Sequence, residues 1–226
     1  MKQQWCIPPE QNGEFVWRME DILDVYVQPD DPRFPLVCMD ELPVQLLKDT
    51  RAPLPARSGA VERIDYEYER EGMANVFLFC APLHGRRWSC VTEQRTKADW
   101  AQQIQDLVDG RYPDAVRIRL VCDNLNTHTP GALYEVFAPA EAKRLADKLE
   151  IHYTPKHGSW LNIAEIELSV LRRQCLDRRI PDRATLRTEV TAWEDRRNGR
   201  ELTVDWRFTT ADARIKLKRL YPKIQE

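Results

Sequence analysis

The chain has 226 residues, 42% of them hydrophobic, and its 34 lysines and arginines against 36 aspartates and glutamates leave a formal net charge of −2; this is enough for one domain with a sizeable core. No apolar run reaches the length of a membrane span, and residues 1–5 lack the charged-then-apolar layout of a signal peptide, so a cytoplasmic protein without membrane association is expected. Cysteines at positions 6, 38, 80, 90, 122 and 175 form no Cys-x-x-Cys pair and sit mostly in apolar runs, which reads as small buried hydrophobes in a reducing compartment.

Residues 8–28 place Phe15, Val16, Met19, Ile22, Leu23 and Tyr26 at helical spacing, which predicts a connecting helix. The polar, proline-bearing stretch 30–35 breaks the pattern. Residues 36–39 then form a short apolar strand ending at Asp40 and Glu41, so the first carboxylate is expected at a strand's C-terminal end. Residues 48–59, with Pro53 and Pro55 among arginines, read as a loop long enough to be functional. Residues 75–83 and 87–91 read as strands joined by His84-Gly85-Arg86, a hairpin pairing with the first strand.

Residues 97–111 form an amphipathic helix with Trp100, Ile104, Leu107 and Val108 on one face. The next strand, 116–122, ends at Asp123 and Asn124. Helices over 130–137 and 139–149 each begin with proline, whose missing N–H costs nothing there. Residues 151–153 are a last short strand, 160–176 a helix carrying Glu165, and 181–197 a further helix with Asp182 in its first turn. This order is α/β, with a mixed central β-sheet flanked by helices, and it matches a ribonuclease-H-like fold. The expected division is a linker and connecting helix over 1–35, the ribonuclease-H-like domain over 36–200 and a C-terminal tail over 201–226. In such sheets, groups at the carboxyl ends of adjacent strands converge, which would bring Asp40 and Asp123 together.

Asp40, Asp123 and Glu165 each stand where a hydrophobic run breaks into polar residues. Singly, the aspartates read as turn or cap residues, and Glu165, like Glu167, as an exposed acid favoured by a helix N-terminus. Together, three hard oxygen ligands at the mouth of one sheet can hold two Mg2+ or Mn2+ ions, the arrangement for in-line attack on a phosphodiester. The net negative charge runs against phosphate binding. Basic residues nevertheless cluster in the last third, at Arg172-Arg173, Arg178-Arg179, Arg196-Arg197, and Arg214, Lys216, Lys218 and Arg219. Such clusters serve either as solvated helix faces or as phosphate contacts.

Three blocks carry a resemblance: Leu-Val-Cys-Met-Asp-Glu around Asp40, Asp-Asn-Leu-Asn-Thr-His from Asp123 to His128, and Tyr-Thr-Pro-Lys-His-Gly-Ser-Trp-Leu-Asn-Ile-Ala-Glu-Ile-Glu from Tyr153 to Glu167. In order, they resemble the catalytic blocks of DDE transposases, nearest to the bacterial insertion-sequence branch of the mariner superfamily (the insertion-sequence six-thirty family). The resemblance runs from about residue 5 onward. It implies that Asp40, Asp123 and Glu165 are the catalytic, metal-binding carboxylates. Glu165, fourth after Leu161, is the register favoured over Glu167. Asn124, His128, Lys156 and His157 then fall near substrate DNA, with capping or packing as the plainer role for the two histidines, and Arg172 and Arg173 are further candidate DNA contacts.

The implied activity is metal-dependent hydrolysis at the element's ends, followed by attack of the freed 3′-hydroxyl on target DNA at a TA step, which is cheap to deform. The implied partners are double-stranded DNA, both inverted repeats and target, and a second copy in a homodimer on that DNA, in a nucleoid-associated setting. Family members carry an N-terminal helix-turn-helix region absent from this chain, so a trimmed chain or the product of a split reading frame is expected. The 41-residue gap between Asp123 and Glu165 exceeds that of many relatives, and the helical stretch 138–149 accounts for it. The rival expectations are a structure-specific nuclease without strand transfer and a domesticated, non-catalytic DNA-binding remnant.

Overall fold

The computed structural model describes residues 11–223, so Trp5 and Cys6 lie outside the described residues. Five strands, β1 (Leu36–Asp49), β2 (Tyr68–Ala81), β3 (Arg86–Thr92), β4 (Ile118–Cys122) and β5 (Leu149–Tyr153), make one mixed sheet in the order β3-β2-β1-β4-β5. β1, β2 and β3 form an antiparallel meander, whereas β1, β4 and β5 run parallel. The helices are α1 (Gly13–Tyr26), α2 (Lys97–Gln105) with a π-helical continuation Asp106–Arg111, α3 (Pro130–Tyr134), α4 (Pro139–Asp147), α5 (Ile163–Gln174), α6 (Arg183–Asn198) and α7 (Thr210–Lys216).

Residues 36–39 are wholly apolar because both faces of the sheet are covered. Val37 and Met39 pack under Trp100, Ile104, Leu133 and Leu145, while Leu36 and Cys38 join Met19, Ile22, Leu161 and Ile163 on the other face. A third cluster, around Leu42, Leu78, Leu171 and Trp193, lies between the far end of β1 and helices α5 and α6. Among the described residues all cysteines are free thiols, four of them buried, as their apolar settings predict. No described helix is long and apolar enough to cross a membrane.

The main departure from the sequence reading is β1. The polar pair Asp40-Glu41 predicts a strand end, yet β1 runs through it to Asp49 as half of a long hairpin, with Asp40 opposite Leu78 of β2. What stops there is the parallel pairing with β4, whose last paired residue on β1 is Cys38. Beyond Cys38 that edge of β1 has no strand beside it, and an edge is where Pro43 is tolerated. The predicted loop becomes the hairpin tip, closed by bridges between Leu54 and Arg63 and between Arg57 and Ala60.

Smaller departures have local causes. The helix predicted over 160–176 splits, because the side chain of Asn162 accepts the Ala164 N–H and so starts α5 only after a 3-10 turn, Ser159–Leu161. The C-terminal stretch is not loose. Ala213 and Leu220 are buried against α1, and Arg214 and the Tyr221 hydroxyl both donate to Glu20.

Two buried charge contacts lock the layers. Arg87 of β3 donates twice to Glu167 of α5, both at 2.8 Å, and Arg197 of α6 donates to the same carboxylate at 2.9 Å. Burial alone would raise the Glu167 carboxyl, but the two guanidiniums outweigh it and hold it below the usual range. Glu167→Gln leaves two buried cations without their counter-charge, so a loss of about 3–5 kcal/mol is expected in urea denaturation.

His152 ties β5 to α1 through Nδ1, 2.8 Å from Asp21, with Glu150 3.3 Å from Nε2. Burial opposes the imidazolium, yet the Asp21 and Glu150 carboxylates outweigh it and its pKa is raised. Its stabilisation is therefore complete below the unfolded value of about 6.5 and fades as pH rises through the folded value. The stability gap between wild type and Asp21→Asn should accordingly be full below about pH 6.5 and shrink as pH rises above it in denaturant titrations.

Candidate active site

β1 and β4 run side by side to Cys38 and Val121, and continuing that register by two residues sets Asp40 beside Asp123. Side chains alternate along a strand, so both carboxylates fall on the face of Cys38 and Val121, the face covered by α1 and the start of α5. Glu165 stands exposed in the first turn of α5.

Asn162 fixes that turn against the strand. Its Oδ1 accepts the Ala164 N–H at 3.0 Å, while its Nδ2 donates to the Met39 carbonyl at 2.9 Å and lies 3.4 Å from Asp40 Oδ2. From the other side the buried Tyr26 hydroxyl donates to the Leu161 carbonyl at 2.7 Å and accepts the Ile163 N–H at 3.4 Å. One asparagine thus starts the helix bearing Glu165 and anchors it next to Asp40.

The electrostatics of the site are those of crowded carboxylates. Burial, opposed in part by the Glu41 N–H at 2.7 Å, and then the charges of Asp123, Glu165 and Glu41 push the Asp40 carboxyl up to about 7. For His128 burial disfavours the cation, but the Asp123 and Glu41 carboxylates prevail and raise it to about 9. Asp123 Oδ1 lies 2.6 Å from His128 Nδ1, yet off the ring's N–H direction, and this buried oxygen receives no well-directed hydrogen bond. Glu41 Oε2 is also buried without one.

Carboxylates gathered at one point, each raising its neighbour, suit a hard cation, which would supply the missing charge. Among the described residues, however, no three His, Cys, Asp or Glu side chains close around a common point. The two observations agree, because Coulomb forces act well beyond ligand distance.

The sequence-predicted residues separate into rim, groove and interior. Asn124, Lys156 and His157 are exposed, beside the paired ends of β4 and β5 at Cys122 and Tyr153. Lys156 and His157 ride a tight turn in which Gly158 N–H donates to the Pro155 carbonyl at 2.8 Å. His157 adopts φ +66°, and a Cβ on Gly158 would fall 2.5 Å from Pro155 Cγ, so this turn requires glycine. Arg172 and Arg173 are exposed seven and eight residues after Glu165, about 10–12 Å along the helix. With Arg178 they line a groove of about 480 Å³ against Leu42 to Leu47 of β1.

Most of the other C-terminal cations are engaged internally: Arg178 with Glu189, Arg179 with Asp49, Arg197 with Glu167, Arg214 with Glu20 and Lys216 with Asp212. His128 is the exception to the expected DNA-facing set. Its side chain is only 1% exposed, spans Glu41 and Asp123 and stacks on Trp100, so the ring offers no surface to a duplex. Sequence reasoning also passed over Asn162, Glu41 and Tyr26. A cap residue three positions before Glu165 was a usable signal for the first; nothing local marked the other two.

Solved structures share this fold. A crystal structure of the Mos1 mariner paired-end complex with Mn shares 15% identity over 89% of this chain and 62% of that one, with a TM-score of 0.58. The Mos1 strand transfer complex gives 15% identity, 89% and 61% coverage and a TM-score of 0.59. A pre-cleavage Mos1 transpososome gives 14%, 100% and 68% with a TM-score of 0.60. The chain thus spans about three fifths of the length of the first two. No curated protein matches it in sequence.

At these identities the likeness shows the fold, which is ribonuclease-H-like as the element order predicts. The family follows from sequence: residues 35–187, more than half of the chain, match the model of the DDE superfamily endonuclease, and the chain belongs to that family.

Asn162→Ala removes both the cap and the tie to Met39. A loss of roughly 2–3 kcal/mol is expected in urea denaturation, and Asn162→Ser, which restores the cap without the reach to β1, should recover about half.

Proposed function

We propose that this chain is the catalytic domain of a DNA transposase of the bacterial insertion-sequence branch of the mariner superfamily, the insertion-sequence six-thirty family. It would hydrolyse phosphodiesters at the ends of an insertion sequence and join the freed 3′-hydroxyl to target DNA at a TA step. The observation that carries this reading is that Asp40 and Asp123 stand side by side where the β1–β4 pairing ends, while Asn162 anchors the turn bearing Glu165 against Met39 and Asp40, inside the region matching DDE endonucleases. The Mos1 structures support it further, since they include a strand transfer complex and paired-end complexes with Mn and with Mg.

Asp40, Asp123 and Glu165 would hold two Mg2+ or Mn2+ ions, which when bound supply activation of the attacking oxygen and stabilisation of the leaving one. The chain's own residues do the rest. Asn162 and Tyr26 keep Glu165 on the β1 side of the sheet. Lys156, His157 and Asn124 meet phosphates at the rim, and Arg172 and Arg173 meet the strand farther along the groove. Direct attack without a covalent enzyme intermediate fits the surroundings, because Cys122 is fully buried with its thiol pushed well up, chiefly by that burial.

On this reading residues 36–200 are the catalytic unit, 1–35 the linker and connecting helix, and 201–226 a tail. The substrates are inverted repeats and target DNA, and the working form is a homodimer on DNA in the cytoplasm and nucleoid.

The test is Mn2+-dependent nicking of supercoiled plasmid, followed by joining of a pre-cleaved end to a target. Wild type should nick and join, and lose both with chelator. Asp40→Asn, Asp123→Asn and Glu165→Gln should fall to background while keeping wild-type circular dichroism. Activity retained in any one of them removes that residue from the site, and nicking without joining favours a structure-specific nuclease.

Lys156→Ala, Arg172→Ala and Arg173→Ala should each weaken DNA binding for any sequence and reduce the log–log salt slope by about 1, measured by anisotropy across ionic strengths.

A further inference from the structure

We propose that His128 is a positioning residue of the metal site, holding Asp123 from behind so that one carboxylate oxygen is turned toward the cations; this rests on the metal reading above. The loop after β4 is built to bring it there. Residues 123–128 double back, with the His128 N–H donating to the Leu125 carbonyl at 3.0 Å and the His128 carbonyl accepting from the Tyr153 hydroxyl at 2.6 Å. The ring then lies directly behind the residue that opens the loop. Nδ1 sits 2.6 Å from Asp123 Oδ1 and 3.3 Å from the Asp123 carbonyl, and Nε2 sits 2.8 Å from Glu41 Oε1. Trp100 stacks on the ring at 6.0 Å and 26°, which fixes its plane.

The two carboxylates it touches differ in a telling way. The Glu41 side chain is 2% exposed, an interior anchor next in sequence to Asp40. The Asp123 side chain is 33% exposed although its Oδ1 is buried, so the exposed portion lies toward Oδ2. His128 therefore covers one oxygen of Asp123, leaves the other to the site, and ties the loop after β4 to β1 behind both aspartates. A histidine that merely filled the core could end on any pair of acceptors. This one ends on a candidate ligand and on the neighbour of a second, which is how outer residues orient metal-binding carboxylates.

The two ring contacts can be separated by substitution, because asparagine reproduces the donor position of Nδ1 and glutamine that of Nε2. Mn2+ affinity of the DNA-free protein, read from the EPR signal of free Mn2+, is compared with the melting temperature measured without metal. His128→Gln, which keeps the Glu41 contact and loses the Asp123 contact, should bind Mn2+ about ten- to a hundredfold more weakly. His128→Asn, which keeps the Asp123 contact, should stay closer to wild type, although its metal-free melting temperature falls at least as far. Wild-type affinity in both variants, or equal weakening of both that tracks their loss of melting temperature, would overturn the proposal and leave His128 a packing residue. Mn2+ binding undiminished in Asp40→Asn and Asp123→Asn would instead sink the metal reading itself, and the inference with it.

Discussion

A three-residue parallel ladder is the constraint on which the site depends. β1 and β4 pair only through Leu36, Val37 and Cys38. Parallel strands leave a shared ladder in the same direction, so whatever follows on each emerges side by side, and here both carry an aspartate two residues on. Like charges placed opposite one another are unfavourable in a sheet. The pairing ends where Asp40 and Asp123 begin, with β1 continuing along β2 and the chain after β4 folding back on His128. The carboxylates are therefore close through topology, and the buried packing of Val37, Met39 and Leu120 opposes their repulsion.

The third acid is delivered by a helix held at two points. Asn162 ties the start of α5 to the Met39 carbonyl, and Glu167 clamps its second turn to Arg87 and Arg197. Residues two apart on a helix point nearly opposite ways, since each step turns the chain by about 100°. Once Glu167 is sealed in the interior, Glu165 must face outward, toward Asp40, whose carboxyl feels its charge. The ion pair thus sets the rotation of α5 and settles which of two neighbouring glutamates is free.

Much of this was legible in the sequence because the signals are local. Proline starts, a 3.6-residue apolar period and short apolar runs located nearly every element, and each motif block begins within or directly after a strand. The larger misses were non-local. Asp40-Glu41 reads as a strand end because a polar pair usually marks one, yet here it marks only the loss of one neighbouring strand. Whether β2 continues alongside is decided by residues nearly forty positions away. The burial of His128 depends on Trp100 and Glu41, neither near it in sequence. The arginine clusters read as a basic surface because their partners, Glu20, Asp49 and Glu167, lie elsewhere in the chain.

That pairing bears on how an acidic protein could act on DNA. The formal charge of −2 understates the difficulty, because many of the C-terminal cations are spent on internal carboxylates and the site itself gathers acids. On the proposed reading, a phosphodiester approaching Asp40 and Asp123 meets repulsion from those carboxylates. Divalent cations would reverse the sign of the field at that point and nowhere else, so productive approach is coupled to metal occupancy. The remaining attraction comes from the rim, where Lys156 stands beside the β4 and β5 ends, and from the groove, where neither Arg172 nor Arg173 has a carboxylate within salt-bridge reach among the described residues. These positive points lie just past the end of β5 and along β1 beyond Asp40. Such contacts position a backbone without reading its sequence, so on the proposed reading this charge map brings DNA to the carboxylates and does not select it.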